Sequence, residues 1–148
     1  MPILNRVARA AVKPLPRIIR PETHAKLDYF IAGSLFAGAG WLWNRNRRAA
    51  LAALMCGSAE LGLSLLTDYP GGPSGPISFG AHRKIEKGLA AVSATIPQLF
   101  GFNNDSERKL FTAHAVLTTI IGELTQPSDA QRYNARRYRG EHGYDPAA

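Results

Sequence analysis

Two short segments, HAKLD beginning at His24 and HRKIE beginning at His82, each place a carboxylate four residues after a histidine. On a helix, residues four apart share a face with Cβ atoms about 5–6 Å apart, so His24 would lie beside Asp28 and His82 beside Glu86. Imidazole nitrogens and carboxylate oxygens are common ligands of divalent metals, and the four residues together could bind one. The alternative is simpler: each acid favours a helix N-terminus, while the histidines stay among solvated headgroups.

Glu60 and His114 form a second candidate pair, because each lies inside an otherwise apolar segment. Ionisable residues in such segments are candidates for function. The pair could relay protons, or His114 could serve as an axial ligand to haem or a chlorophyll-type pigment, with Glu60 nearby. The alternative is a polar contact between helices that only fixes their packing.

Motifs typical of several enzyme classes are missing from the sequence. Cys56 is the single cysteine, which excludes an intramolecular disulfide and a cysteine metal cluster. The chain has no Gly-x-Ser-x-Gly, and the GGPSG segment lacks the end of a phosphate-binding loop. These features favour a protein that is not an enzyme.

The elements that must position these residues are four apolar segments, which cover residues 29–43, 49–67, 88–102 and 110–122. The first and third carry no polar stripe, which a helix of a soluble bundle needs. Apolar segments of this length, extended by their flanks, can approach the ~20 residues that span a bilayer. The pattern predicts an all-α fold, a bundle of four transmembrane helices, rather than a soluble four-helix bundle.

Charge predicts how these helices are oriented. The chain has a net charge of +7, and its basic residues concentrate before the first apolar segment, between the second and third, and in the tail. By the positive-inside rule both termini are cytoplasmic, in a bacterial inner membrane. Residues 1–22 read as a basic surface segment that contains a short amphipathic helix, suited to anionic lipid headgroups, and 127–148 read as a polar tail. No nucleic-acid partner is expected.

The two halves of residues 23–126 resemble each other at an offset of 58 positions. We interpret residues 24–67 and 82–125 as two tandem helical hairpins, related as parallel repeats. The matched positions include His24 with His82, Asp28 with Glu86, and Leu66-Thr67 with Leu124-Thr125.

The segments LLTDYP at residues 65–70 and IPQLFGF at residues 96–102, together with His24 and Asp28, resemble a family of small bacterial membrane proteins with SPW repeats. The resemblance covers about residues 20–127, and IPQ stands where that family has Ser-Pro-Trp. It implies a four-span topology and brings no catalytic residue.

The function expected from the sequence is that of an accessory or scaffold subunit, held in the bilayer by helix packing to itself or to other membrane subunits. The alternative is a small cofactor- or ion-handling protein that uses His114 and Glu60, or a metal at the paired His-acid sites.

Overall fold

The computed structural model describes residues 16–69, 75–103 and 106–128. The all-α prediction is confirmed, because helices dominate these residues. The predicted amphipathic helix near the N-terminus and nearly all of the polar tail lie outside the described residues. The helices are α1 (Pro21–Leu42), α2 (Arg47–Leu65), α3 (Phe79–Leu99) and α4 (Arg108–Leu124).

Local sequence signals set the helix boundaries. Pro21 occupies the first turn of α1, where a missing N–H costs nothing. The side chains of Asn46 and Ser78 accept hydrogen bonds from the backbone N–H three residues later, which caps α2 and α3. Gly101 has a φ of 73° and ends α3, because glycine adopts this left-handed conformation without strain.

The helices pack as two hairpins, α1 with α2 and α3 with α4, and contacts are concentrated within each hairpin. Two short strands, β1 (Thr67–Asp68) and β2 (Ile77–Ser78), pair in parallel between the hairpins. A parallel bridge between Ile19 and Thr125 joins the other two ends.

These two junctions are equivalent at the offset of 58. The Ile77 N–H donates to the Leu66 carbonyl at 3.0 Å, and the Ile19 N–H donates to the Leu124 carbonyl at 3.0 Å. The start of each hairpin is therefore tied to the end of the other, and the helix starts that carry the histidines are brought together.

An apolar core occupies the opposite end of the molecule, near the turns within each hairpin. Small residues of α2 let α1 approach closely, and the rings of Phe102 and Phe111 meet with centroids 5.3 Å apart. Its buried members are Ala39, Leu42, Ala49, Ala50, Ala52, Ala53, Ile96, Phe102 and Phe111.

By length and hydropathy, α2 is the one helix in the described part of the chain that could cross a membrane. This criterion does not support the prediction of four spans. Helix α4 has only 17 residues, and charged residues near the starts of α1 and α3 lower the hydropathy of those helices.

Three local sequence patterns predict features that differ from the structure. A proline inside an apolar segment predicts a kink or a break, but Pro97 lies in the last turn of α3, which continues to Leu99. The Pro/Gly-rich segment DYPGGPSGPISFGA, residues 68–81, predicts a connector without a helix, yet α3 begins at Phe79, directly after β2. Aromatic residues at the ends of apolar segments predict an interfacial belt that includes Tyr69 and Phe102, but both are buried.

Candidate metal centre

The two His-acid pairs meet at the helix starts. His24 and Asp28 lie in the first two turns of α1, and His82 and Glu86 hold the matching positions in α3. All four side chains are buried, with at most 1% exposure. One ligand atom from each residue lies within 4.8 Å of the other three. The interpretation that the histidines stay among solvated headgroups is therefore wrong, because the hairpin junctions press the two helix starts together.

Four of five distances between ligand atoms are close to those around a small metal ion, and the fifth is longer. The two Nε2 atoms are 3.3 Å apart. The Asp28 Oδ2 atom lies 3.4 Å from His24 Nε2 and 3.3 Å from His82 Nε2. The Glu86 Oε2 atom lies 3.4 Å from His24 Nε2 and 4.0 Å from His82 Nε2. A tetrahedral site with bonds of about 2.0–2.2 Å has ligand–ligand edges of about 3.3–3.6 Å.

Two threonines fix which histidine nitrogen carries the proton. The Thr67 hydroxyl donates to the Leu63 carbonyl at 2.6 Å, so its oxygen is free to accept from His82 Nδ1–H at 2.9 Å. The Thr125 hydroxyl likewise donates to the Ile121 carbonyl at 2.6 Å and accepts from His24 Nδ1–H at 2.8 Å. With Nδ1 protonated, each neutral imidazole turns an Nε2 lone pair towards the other ligands.

Such an arrangement is stabilised by positive charge at its centre, either a proton on one Nε2 that is donated to Asp28 or Glu86, or a metal ion. Two Nε2 lone pairs at 3.3 Å repel each other and cannot share a hydrogen bond while both protons reside on Nδ1. Asp28 Oδ1 and Glu86 Oε1 are buried without a hydrogen-bond partner among the described residues. A divalent cation would receive both lone pairs and balance the two carboxylates, which leaves a buried site with no net charge.

Tyr69 completes one side of the site. Its hydroxyl donates to Asp28 Oδ2 at 2.7 Å. Burial, with the nearby Asp28 charge, raises the pKa of Tyr69 well above its usual value, so the phenol remains a donor at neutral pH. The hydrogen bond orients the carboxylate towards the histidines.

Aromatic packing closes the site to solvent. The Phe79 ring stacks on His82 and meets His24 edge-on at a centroid distance of 5.3 Å. On the opposite side, a Cβ atom added to Gly122 would lie 3.5 Å from Glu86 Oε2. Arg83 donates to the Gly122 carbonyl, which holds α3 to α4 at this level.

Sequence reasoning identified the four ligand candidates and missed three supporting residues. Thr67 and Thr125 were noticed only as matched positions at the offset of 58. Tyr69, at the end of an apolar segment, is predicted from sequence to be an interfacial aromatic. The recurrence of threonine at the end of both hairpins was the available signal for the first two, whereas Tyr69 has no counterpart in the second half.

Glu60 and His114 are also brought together, deeper in the bundle. His114 Nε2 lies 3.8 Å from Glu60 Oε2, and both side chains are buried. Two apolar cavities of about 140 and 190 Å³ flank His114. Pockets for larger organic ligands are typically about 300–1,000 Å³, so neither cavity has the volume that haem or a chlorophyll-type pigment needs.

Comparisons of this chain with protein-family models, with curated proteins and with solved structures gave no match.

Proposed function

We propose that this protein binds one divalent transition-metal ion, Zn²⁺ foremost, between its two hairpins. The observation that carries the proposal is the pair of Nε2 lone pairs, each fixed by a threonine, which face each other beside two buried carboxylates. Two nitrogen and two oxygen ligands, most of them close to tetrahedral spacing, suit Zn²⁺. The same ligand atoms also bind Fe²⁺ or Mn²⁺, so the test includes these ions.

The metal would join helices that otherwise have few contacts. His24 and Asp28 come from the first hairpin, and His82 and Glu86 from the second, so one ion would bridge α1 and α3. Because a metal that binds only the folded state contributes its binding free energy to stability, the ion would hold the hairpins together. A structural centre of this kind needs no open coordination position.

The test uses the full chain, purified in mild detergent, stripped with a chelator and reloaded with Zn²⁺, Fe²⁺ or Mn²⁺. Elemental analysis is expected to find one ion per chain, and His82→Gln is expected to weaken binding by more than about 100-fold. Lys84→Gln, an exposed change on the same helix, is the matched control. If none of the three metals binds stoichiometrically to the native chain, the proposal fails.

We also propose that all four helices lie within a membrane, although only α2 meets the hydropathy criterion. Large apolar side chains point outward on every helix, while ionisable and hydroxyl side chains occupy the part of the interior between the metal centre and the apolar core. Charged residues that bind one metal are sheltered from lipid, so hydropathy understates how apolar the outer surface is. Exposed members of that surface are Phe30, Leu51, Met55, Val92, Leu99, Val116, Leu117 and Ile120.

Far from the metal centre, two cation–aromatic contacts suit the opposite membrane boundary. The Arg45 guanidinium lies 4.4 Å from the Trp41 ring centroid, and that of Arg47 lies 4.1 Å from the Trp43 ring centroid. Tryptophan and arginine are both favoured at headgroup level. In native membranes, the chain is expected to resist extraction by alkaline carbonate and to require detergent. Release by carbonate alone would contradict the membrane placement.

An inner-membrane location with both termini cytoplasmic, membership of the SPW-repeat family and a role as an accessory subunit for other membrane proteins remain parts of this proposal. The outward apolar surface supports contact with lipid or with a partner subunit. Termini can be located by attaching a reporter enzyme that is active on one side of the membrane only. Purification from the native host, with identification of bound subunits, tests the accessory role; a chain that purifies alone would contradict it.

A further inference from the structure

A second buried polar site lies deeper in the bundle than the metal centre. Glu60 lies five residues before the end of α2 at Leu65, about 7.5 Å of helix, and Thr67 of the metal centre follows that end. Its carboxylate faces His114 from the other hairpin, with Oε2 and Nε2 3.8 Å apart. The exposed fractions are 1% for Glu60 and 5% for His114. This pair shares no residue with the metal centre.

Hydrogen bonds fix the orientation of the His114 ring. The Ser93 Oγ atom lies 2.8 Å from His114 Nδ1 and 3.4 Å from the Phe111 carbonyl oxygen. When the Ser93 hydroxyl donates to that carbonyl, Nδ1–H donates to Ser93, and in this neutral tautomer the Nε2 lone pair faces Glu60. A carboxylate and a lone pair that face each other are both acceptors, and no hydrogen bond can form between them without a further proton.

Several buried atoms around this pair have no hydrogen-bond partner within the described ranges. They include both carboxylate oxygens of Glu60 and His114 Nε2, together with the hydroxyl oxygen of Thr118, whereas the nearby Ser64 hydroxyl interacts with Tyr69. Ser64 and Thr118 lie one helical turn from Glu60 and His114, on the side towards the metal centre. A buried carboxylate left without any donor is costly, so the site calls for a positive ligand.

We propose that Glu60 and His114 together bind one proton, which they share across the interface between the two hairpins. A proton on Glu60 makes the acid a donor to His114 Nε2, and a proton on Nε2 makes the imidazolium a donor to Glu60. Closing the gap from 3.8 Å to an ordinary hydrogen bond requires a movement of about 1 Å, within reach of the glutamate side-chain torsions.

The ligand set argues for a proton over a metal ion. One imidazole and one carboxylate give a transition metal only two strong ligand residues, whereas the other centre supplies four. Hard cations such as Ca²⁺ take six to eight oxygens, and here the nearby side chains supply two carboxylate oxygens and two hydroxyls. A proton needs only the two facing atoms.

The surroundings contain no basic residue to neutralise Glu60 in another way, as far as the described residues extend. The Cys56 thiol lies on the same helix one turn away and interacts with Ser93 from α3. From α1, the side chains that share a cavity with His114 include Ile31 and Leu35, which are apolar. His114 is therefore the one titratable group on a facing helix that can exchange a proton with Glu60.

The test is an infrared titration of the full chain in mild detergent, with protons as the only ligand. The carbonyl band of a protonated carboxylic acid is expected in the native chain, shifted in D₂O and reduced in Glu60→Gln. In His114→Gln, the proton affinity of the carboxyl group that gives this band is expected to change by more than tenfold. The control Glu123→Gln alters an exposed acid and is expected to leave the band unchanged. A Glu60→Gln chain with an undiminished band overturns the proposal.

A second arm separates this site from the metal centre. The same titration is repeated on His82→Gln, which lacks a metal ligand but keeps Glu60 and His114, and the Glu60-dependent band is expected to persist. Metal analysis of the native chain is expected to show no ion that depends on Glu60. A second Zn²⁺ equivalent, lost in Glu60→Gln, would overturn the proton assignment in favour of a metal. Absence of any bound metal would refute the metal centre alone.

Discussion

His24 and His82 meet across the two hairpins with their Nε2 atoms 3.3 Å apart, although 58 residues separate them in the chain. Each ring is held from behind by the threonine that ends a hairpin, Thr125 for His24 and Thr67 for His82. The contact therefore depends on both hairpins at once. It provides a site that neither hairpin could form alone.

The threonine hydroxyls are expected to set metal affinity without touching the metal. Thr67→Val keeps the side-chain shape but removes the acceptor for His82 Nδ1–H, so the ring is free to adopt the wrong tautomer. We expect Zn²⁺ affinity to fall by about 10–100-fold, and Thr67→Ser to retain most of it. Titration against a competing chelator measures both.

Thr112→Val is the matched control for that change. The Thr112 hydroxyl also donates to the carbonyl four residues earlier, but it is exposed and faces no histidine. Its loss is expected to leave Zn²⁺ affinity unchanged. Equal losses in Thr67→Val and Thr112→Val would show that the effect comes from the helix and not from the histidine.

Tyr69→Phe is expected to destabilise the metal-free protein more than the metal-bound protein. The change removes the 2.7 Å hydrogen bond to Asp28 Oδ2 and leaves a buried carboxylate without that donor. Hydrogen bonds to charged groups contribute about 1.5–3 kcal/mol, and a bound Zn²⁺ would supply much of the lost compensation. Thermal unfolding with and without Zn²⁺ measures the difference.

For the same comparison, Tyr29→Phe serves as a control, because Tyr29 is 43% exposed and lies on the adjacent part of α1. Tyr29→Phe is expected to leave the melting temperature nearly unchanged, both with and without Zn²⁺. A Tyr69→Phe chain destabilised equally in both states would argue against a metal beside Asp28.

The sequence alone predicted the helices and both His-acid pairs, because helical periodicity and i, i+4 spacing are local properties. It did not predict that the pairs are buried. A histidine or aspartate near a helix start looks solvated until its partner is known, and here the partner lies on the other hairpin. The same limit applies to Tyr69, whose position at the end of an apolar segment is also that of an interfacial aromatic.

Helix packing was also misassigned at one point. The spacing of Ser58 and Gly62, two small residues four apart, predicts a close helix contact, yet a Cβ atom on Gly62 would meet nothing within 4 Å. The close approach is at Gly57, where an added Cβ would lie 3.2 Å from Leu35 Cβ and 3.4 Å from the Ala32 carbonyl oxygen. Which glycine faces a neighbour depends on helix rotation, which this spacing alone does not fix.

Gly57→Leu is therefore expected to force α1 and α2 apart. The added side chain meets backbone as well as side-chain atoms, and overpacking of this kind typically costs about 1–3 kcal/mol. Gly62→Leu, at the open position on the same helix, is the control and is expected to be tolerated. Thermal unfolding in mild detergent measures the stability of both variants. A Gly57→Leu chain as stable as the control would contradict the packing described for α1 and α2.

The near-equivalence of the two hairpins makes a sharper prediction for the carboxylates. Asp28 Oδ2 lies 3.3 Å from His82 Nε2, and Glu86 Oε2 lies 3.4 Å from His24 Nε2, so each acid reaches across to the histidine of the other hairpin. Asp28→Glu alone crowds the site, and Glu86→Asp alone leaves its carboxylate too far from the metal. Each variant is expected to weaken Zn²⁺ binding by at least about tenfold.

The double variant, which combines Asp28→Glu with Glu86→Asp, again has one long and one short acid around the same centre. Its Zn²⁺ affinity is therefore expected to exceed that of either single variant. A double-mutant cycle on Zn²⁺ affinity measures this coupling, because independent sites would simply add their losses. Additive losses would mean that the two carboxylates do not share a metal ion.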